Sequence, residues 1–429
     1  MNIDPRRDFI WQELHARPYV RFDAPAHVFH FSFLSEEGTE AADHAALDRV
    51  ATAMKLKATY ETERHSIYAA AISGIGRVAM SWERHGEFVA YTFFVYELAV
   101  PFRPFGLDPW TVLPDGFREQ IGLPLLVAVC LTIGPRKEMP ATPEAMTELF
   151  EGHTVKGSGV MGGRAEAWSC YRVHNDGFGR ILVGVDDMSP HSLSRTVDRL
   201  VAIEDFSHLT LLALPLARAI KAELAKWETR VVDEMDALRI ADSLEEKRAV
   251  LNSFLALAAE VEHLRARVSN RFQASAAYFS LLRNRFAELR ETKIDHVFRL
   301  SGFVMRRLEP GAKTCQSVLD RLTNLSARID RAAQLLETNV GLHVEEQNQR
   351  LLASADRRSR QQLEIQDAVE GLSVVAIAYY VAGLIGYVLK GARHLSASID
   401  PDVTLAFAAP ILVIGAWALM RLIRKRFRA

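Results

Sequence analysis

Hydrophobic positions along this chain follow three rhythms in succession. From the start to about Glu204, short runs rich in β-branched and aromatic residues alternate with Gly, Pro and Asp. His27–Leu34 (HVFHFSFL), Arg77–Trp82 and Phe88–Tyr96 have strand composition, with His85-Gly86 as the turn joining the last two. Leu123–Ile133 is a continuous apolar run of the kind a buried strand carries. Ala165–Val173 and Arg180–Val185 flank Asn175-Asp176-Gly177, which suits positive φ and predicts a second hairpin. Helices are expected over Ala45–Ala58 and Pro190–Ile203. Such a mixture predicts an α+β domain with a mainly antiparallel or mixed sheet.

After about Asp205 the strand signals stop, and Leu, Ala, Glu, Arg and Gln recur at helical spacing. Pro215 and Glu309-Pro310-Gly311 punctuate this second stretch, predicting an antiparallel helical hairpin that turns near Pro310. From Val318, apolar positions step by three and four through Leu322, Leu325, Ile329, Ala332, Leu336 and Val340 toward Leu351, a heptad seam. It suits packing on the protein's own helical arm and packing between subunits equally. The third rhythm is two apolar stretches without Asp, Glu, Lys, Arg or His, Gly371–Leu389 and Val403–Met420. Each is about the length a helix needs to cross a hydrocarbon core of about 30 Å. The expected architecture is an α+β cytosolic domain (1–205), a long helical stalk (206–368) and two C-terminal transmembrane helices with a basic tail (369–429).

Charge orients that hairpin. Arg350, Arg357, Arg358 and Arg360 precede the first span, and Arg421, Arg424, Lys425, Arg426 and Arg428 follow the second. The positive-inside bias therefore puts both flanks in the cytoplasm, in a bacterial inner membrane, and the loop Lys390–Asp402 outside. A net charge of −1 gives no reason to expect nucleic acid as a partner. Cys130, Cys170 and Cys315 are far apart without a metal-ligand spacing, and are expected to be small buried hydrophobes; no cofactor is expected. The N-terminus lacks the apolar core of a secretory signal.

Within the first span, Gln366, Ser373, Tyr380 and Tyr387 recur every seven residues as a polar line, continuing back to Ser359. Ala378, Ala382 and Gly386 recur every four and form a small-residue face roughly opposite Tyr380. The first set are candidate pore-lining residues and the second a helix-packing face. Lys390 and Arg393 offset Asp400 and Asp402 in the loop, and neither span holds a carboxylate, so a passing cation meets only hydroxyls and backbone carbonyls and dehydrating a divalent ion there is expensive.

Gly157, Gly159 and Gly162 form a GxGxxG string, but a strand follows it, so a hairpin entry is expected rather than a phosphate cradle. No set of acid, base, nucleophile and metal ligands assembles from the sequence, and no enzyme is expected. Glu13, His15 and Arg17, just ahead of Pro18, are candidate ligand-binding residues. They belong to the string ELHARP. With Trp168–Val183 (WSCYRVHNDGFGRILV) and Leu209–Ala217 (LTLLALPLA), it resembles the bacterial membrane-anchored proteins of domain-of-unknown-function family 3422. Ser169-Cys170 depart from that pattern, where a Thr-Asp pair is expected. The layout is also similar to CorA-type divalent-cation transporters, although Gly386-Tyr387-Val388 stands where those carry Gly-Met-Asn. These resemblances imply a membrane protein with the lipid bilayer, further copies of itself and inorganic cations as partners. Two readings stand: a CorA-like oligomer that conducts ions, and a membrane-anchored ligand-binding or scaffolding protein whose hairpin is only a tether.

Overall fold

The computed structural model describes residues 4–7, 10–11, 18–36, 38–140, 142–392 and 401–427. The chain divides into two units: Met1–Arg239 with Asn252–Ala332, and Ile240–Leu251 with Ala333–Ala429.

The first unit is built on a nine-stranded sheet. Its strands are β1 (Ala26–Leu34), β2 (Lys57–Glu61), β3 (His65–Ile72), β4 (Gly76–Arg84), β5 (Phe88–Tyr96), β6 (Leu125–Pro135), β7 (Lys156–Val160), β8 (Ala165–Val173) and β9 (Gly179–Val185), in the order β2-β3-β4-β5-β1-β6-β9-β8-β7. Every pairing is antiparallel except β6 with β9. Both hairpins expected from sequence form, and Gly177 takes the positive φ its turn requires. Three strands, β2, β3 and β7, come in addition to those expected.

Helices cover both faces, so the central strand β1 is buried on both sides. On the outer face Phe29, Phe31 and Phe33 meet Trp82, Tyr91 and Phe93 under α1 (Glu40–Ala53) and the short α2 (Phe117–Ile121). Helix α1 starts and stops five residues earlier than Ala45–Ala58, because Lys55 adopts left-handed φ and the chain turns into β2 at Lys57. After α3 (Pro143–Leu149), the inner face is covered by α4 (Pro190–Leu211) and by parts of α6 (Leu244–Leu289) and α7 (Leu300–Ala392). Ser189 caps α4 by accepting from the Ser192 amide, with Pro190 at the first helical position.

Helix α5 (Leu214–Ile240) completes the arm. The predicted turn near Pro310 is corrected: Pro310 lies inside α7, and α6 gives way to α7 through residues 290–299. Gly311 serves packing instead, since a Cβ there would come 2.9 Å from Leu211 Cδ2. The 290–299 connection runs beside β7, with Gly157, Gly159 and Thr292 bonding through backbone groups to Phe298, Thr292 and Gly159. It thereby covers the sheet's outermost edge. This explains the glycine string as well. A Cβ at Gly159 would collide with the Thr292 hydroxyl, and one at Gly157 with the Trp168 ring.

The proximal heptad seam is buried at Val318, Leu322, Leu325 and Ile329. Arg321 grips Glu228 of α5 at 3.0 and 2.6 Å, and Ser326 donates to Glu262 of α6 at 3.3 Å, so this part of the seam packs on the chain's own arm. Farther along, Gln347 and Leu351 are exposed.

The second unit contains the remainder of α7 and α8 (Pro401–Phe427). Among the described residues, two segments pass the length and apolarity needed to cross a membrane, Pro190–Ile240 and Leu300–Val388. The apolar window of the first is 56% buried, as a core helix under the sheet requires, whereas that of the second is 11% buried. Helix α8 contributes a shorter apolar stretch, Leu405–Leu419.

Phe31 touches the rings of Phe33, Phe93, Phe117, Phe178 and Trp110. Phe31→Ala should cost about 3–5 kcal/mol, read as a lower urea midpoint of the full chain in detergent by tryptophan fluorescence.

Candidate functional site

Strict alternation along β1 sends its phenylalanines outward and leaves Val28, His30 and Ser32 facing α4. Neighbouring strands extend this polar patch with Thr92 of β5, Ser81 and Glu83 of β4, and His65 of β3, all on the same face. Polar groups under a helix must find partners, because burying one unpaired costs about 1–3 kcal/mol. Helix α4 supplies the partner. Asp205 receives His30 Nε2 at 3.0 and 3.1 Å and the Ser32 hydroxyl at 2.5 Å, while His30 Nδ1 lies 2.9 Å from Thr92 Oγ1. The carboxylate can only accept, so Nε2 carries the proton. His65 Nε2 lies 3.1 Å from Ser81 Oγ.

Asp198 sits two helical turns before Asp205, on the same face of α4. Between them and the sheet lies a cleft of about 100 Å³, lined by Tyr19, His30, His65, Glu83, His85, Asp198, Asp205 and Arg285 among others. A smaller space of about 30 Å³ adjoins it, sharing Tyr19, Glu83 and Asp198. Among the described residues Asp198 makes no hydrogen bond or ion pair. Burial, reinforced by Glu83 of β4 and Glu288 of α6, raises its pKa to about 6 against the offsetting pull of Arg285 and Arg199. Arg285 itself is 3.0 Å from Glu288. The result is a carboxylate-rich pocket holding one poorly solvated, unpartnered acid.

A second constellation involves a cysteine. Cys170 Sγ is 3.2 Å from His174 Nε2, and His174 Nδ1 is 3.2 Å from Glu151 Oε2 without the alignment of a hydrogen bond. The order resembles a thiol, imidazole and carboxylate relay, and its C-x3-H spacing was overlooked in the sequence. Burial pushes the thiol up and the imidazole down, which opposes the thiolate form that nucleophilic chemistry needs. Cys170 lies in a cluster with Met146, Phe150 and Leu182 and lines none of the three cavities described. It is a packing contact, and Cys130 and Cys315 are buried free thiols as well. Among the described residues no three His, Cys, Asp or Glu side chains are placed to hold one metal ion.

The residues singled out from sequence fall in two places. Glu13, His15 and Arg17 lie outside the described residues, but Pro18 and Tyr19, which follow them directly, line the cleft. In the second unit Gln366, Ser373, Tyr380 and Tyr387 are all exposed. Ala378 is buried, Ala382 and Gly386 are half-buried, and a Cβ at Gly386 would meet Leu405 of α8 at 3.6 Å. The small-residue face thus meets α8 at its Gly386 end, and the polar line stays open. Sequence reasoning missed His30, His65, Glu83, Asp198 and Asp205. The available signal was the polar residues at alternate positions of an otherwise apolar strand.

These features define a mixed α/β sheet domain with a polar cleft, attached to long helices of which the last part is apolar and exposed. The family model described as "Protein of unknown function (DUF3422)" matches residues 2–427, and the chain belongs to that family. No curated protein and no solved structure matches the chain, so the CorA-like layout gains no support there.

Since the folded pKa of Asp198, about 6, exceeds the ordinary 3.8, the proton is held more tightly in the folded state. Its stabilising effect is complete below about pH 4 and is lost as pH rises through about 6. Asp198→Asn removes that dependence. Relative to wild type, the variant should gain on the order of 1–3 kcal/mol between about pH 4 and 7, measured as a pH series of unfolding midpoints.

Proposed function

We propose that the protein is a membrane-anchored ligand-binding protein of the bacterial inner membrane, with both termini cytoplasmic and no catalytic activity of its own. Its α+β domain takes a small organic cation, an ammonium or guanidinium group, into the cleft between α4 and the sheet. The observation that carries this reading is Asp198, an acid held in a poorly solvating pocket beside Glu83 with no partner among the described residues. A bound cation supplies the missing charge and hydrogen-bond donors. About 100 Å³ admits roughly three water-sized groups, which suits a compact cation or the tip of a longer one. Asp205 is already satisfied by His30 and Ser32, so it shapes the site rather than binding.

A second reading, ion conduction by a homo-oligomer of the hairpins, is supported by the open polar line of α7 opposite the face that receives α8. In that arrangement the lines of neighbouring copies face one another across an aqueous path, since a single two-span hairpin cannot enclose one.

Methylammonium and guanidinium should raise the unfolding midpoint of the full chain in detergent, whereas acetate should not. The shift should vanish in Asp198→Asn, and the apparent affinity read from its concentration dependence should weaken about tenfold per pH unit below about 6, as Asp198 takes up its proton. Failure of every cation to shift the midpoint, or an equal shift by acetate, refutes the reading. For the second reading, cation flux into liposomes carrying the protein should exceed that of empty liposomes, and its absence removes conduction.

A further inference from the structure

A larger cavity, of about 530 Å³, lies elsewhere in the first unit and is untouched by the reading above. Such a volume falls within the ~300–1,000 Å³ of small-molecule sites. Its floor is β6, whose residues Leu125–Ala128 run ahead of the first pairing with β9 at Val129. Leu211 and Leu212, at the break between α4 and α5, form one wall, and Phe303, Val304 and Leu308 of α7 another.

The remaining wall is an irregular piece of β8. Ser169 pairs with Ile181, but the next pairing is Val173 with Gly179, so the strand bulges and Tyr171 takes a φ of 52°. A non-glycine residue in that region is strained and persists only when its surroundings hold it. Here the Tyr171 ring stacks on Phe303 with centroids 5.3 Å apart. Arg307 lies 4.2 Å over the Phe303 ring and Lys156 4.6 Å over it. Arg172, beside Tyr171, lines the same rim.

Arg180, also on the lining, is held by Glu151 at 3.0 Å and Asp176 at 2.8 Å. Among the described residues, Arg172, Arg307 and Lys156 have no carboxylate partner. Burial lowers the Lys156 pKa, and the charges of Arg307 and Arg172 depress it further, as expected where positive charges gather uncompensated. The one acid on the lining, Glu204, is buried and pushed up toward its neutral form. An apolar chamber with an unpaired cationic rim complements one kind of small molecule.

We propose that this cavity binds a single-chain anionic amphiphile, with its acyl chain along Val127, Leu211 and Leu308 and its carboxylate or phosphate head at Arg172 and Arg307. The stacked Tyr171–Phe303 pair separates head from chain and presents the cations. Two of the three strings on which the family resemblance rests, Trp168–Val183 and Leu209–Ala217, supply walls of this one cavity.

The full-length protein in zwitterionic nanodiscs should be photolabelled with a diazirine analogue of palmitate and the adducts mapped by peptide mass spectrometry. Adducts are expected on the peptides that contain Val127, Leu211 and Leu308. Palmitate or lysophosphatidate should compete and hexadecanol should not; the stronger anionic competitor identifies the head group. The Arg172→Gln/Arg307→Gln variant should label about tenfold less, as loss of a charge-assisted bond implies. Leu308→Trp, which intrudes on the path of the acyl chain, should weaken the label on the Leu211 peptide. Labelling confined to the apolar spans, or equal competition by hexadecanol on the wild-type protein, overturns the proposal without reference to how any variant folds.

Discussion

The bonds that Asp205 extends from α4 to His30 and Ser32 are the constraint on which the inner face depends. Both strand residues are almost wholly buried, 1% and 0% exposed, at the centre of the sheet. An apolar helix laid over them would strand an imidazole and a hydroxyl away from water. Asp205 satisfies both, and Thr92 closes the other ring nitrogen. Removing one member leaves the others unpaired, and breaking a buried pair from one side costs on the order of 3–5 kcal/mol. Apolar replacement of the whole group would not carry that penalty, so the network fixes where α4 sits more than it adds net stability.

Once α4 is fixed in that way, it serves two cavities at once. Asp198, Val201, Ala202 and Asp205 face the cleft. Glu204, Ser207, His208 and Leu211, offset around the helix, face the larger chamber. Glu204 and Asp205 are adjacent in sequence, and the Asp205 charge helps hold Glu204 toward its neutral form, while His30 acts in the opposite direction. The two sites share an electrostatic neighbour as well as a helix.

Local signals define some elements closely and hide others for identifiable reasons. Phe88–Tyr96 and Ala165–Val173 were readable to the residue, because aromatic and β-branched runs ended at clear turns. Strand β7, KGSGV, has almost no side chains to announce it; its glycines answer to Thr292 and Trp168, which are distant in sequence. Pro310 looked like a turn, yet a helix interior tolerates a proline when packing holds both sides, and Gly311 beside it lets Leu211 approach. The cleft was illegible for a stronger reason. Its members come from β1, β3, β4, β5, α4, α6 and the segment ahead of β1, and only the fold brings them together. The polar positions in HVFHFSFL were the one local trace.

The polar line of α7 also changes meaning when each member's hydrogen bonding is considered. Ser373 donates to the Val369 carbonyl at 2.9 Å, so its hydroxyl is satisfied within the helix. Gln366 precedes the apolar stretch, and Tyr387 stands near its end, where interfacial aromatics belong. Tyr380 alone is mid-span, 71% exposed, with a ring contact to Tyr379 and no hydrogen bond among the described residues. Under the proposed membrane placement, leaving that hydroxyl in hydrocarbon costs about 1–3 kcal/mol. The Gly386 end of the small-residue face meets Leu405 of α8, on roughly the opposite side of the helix from Tyr380. In the homo-oligomer of the second reading proposed above, Tyr380 of a neighbouring copy supplies a partner, because a phenol both donates and accepts. The two readings proposed above therefore part at this one hydroxyl: conduction requires that water reach it, and a tether does not.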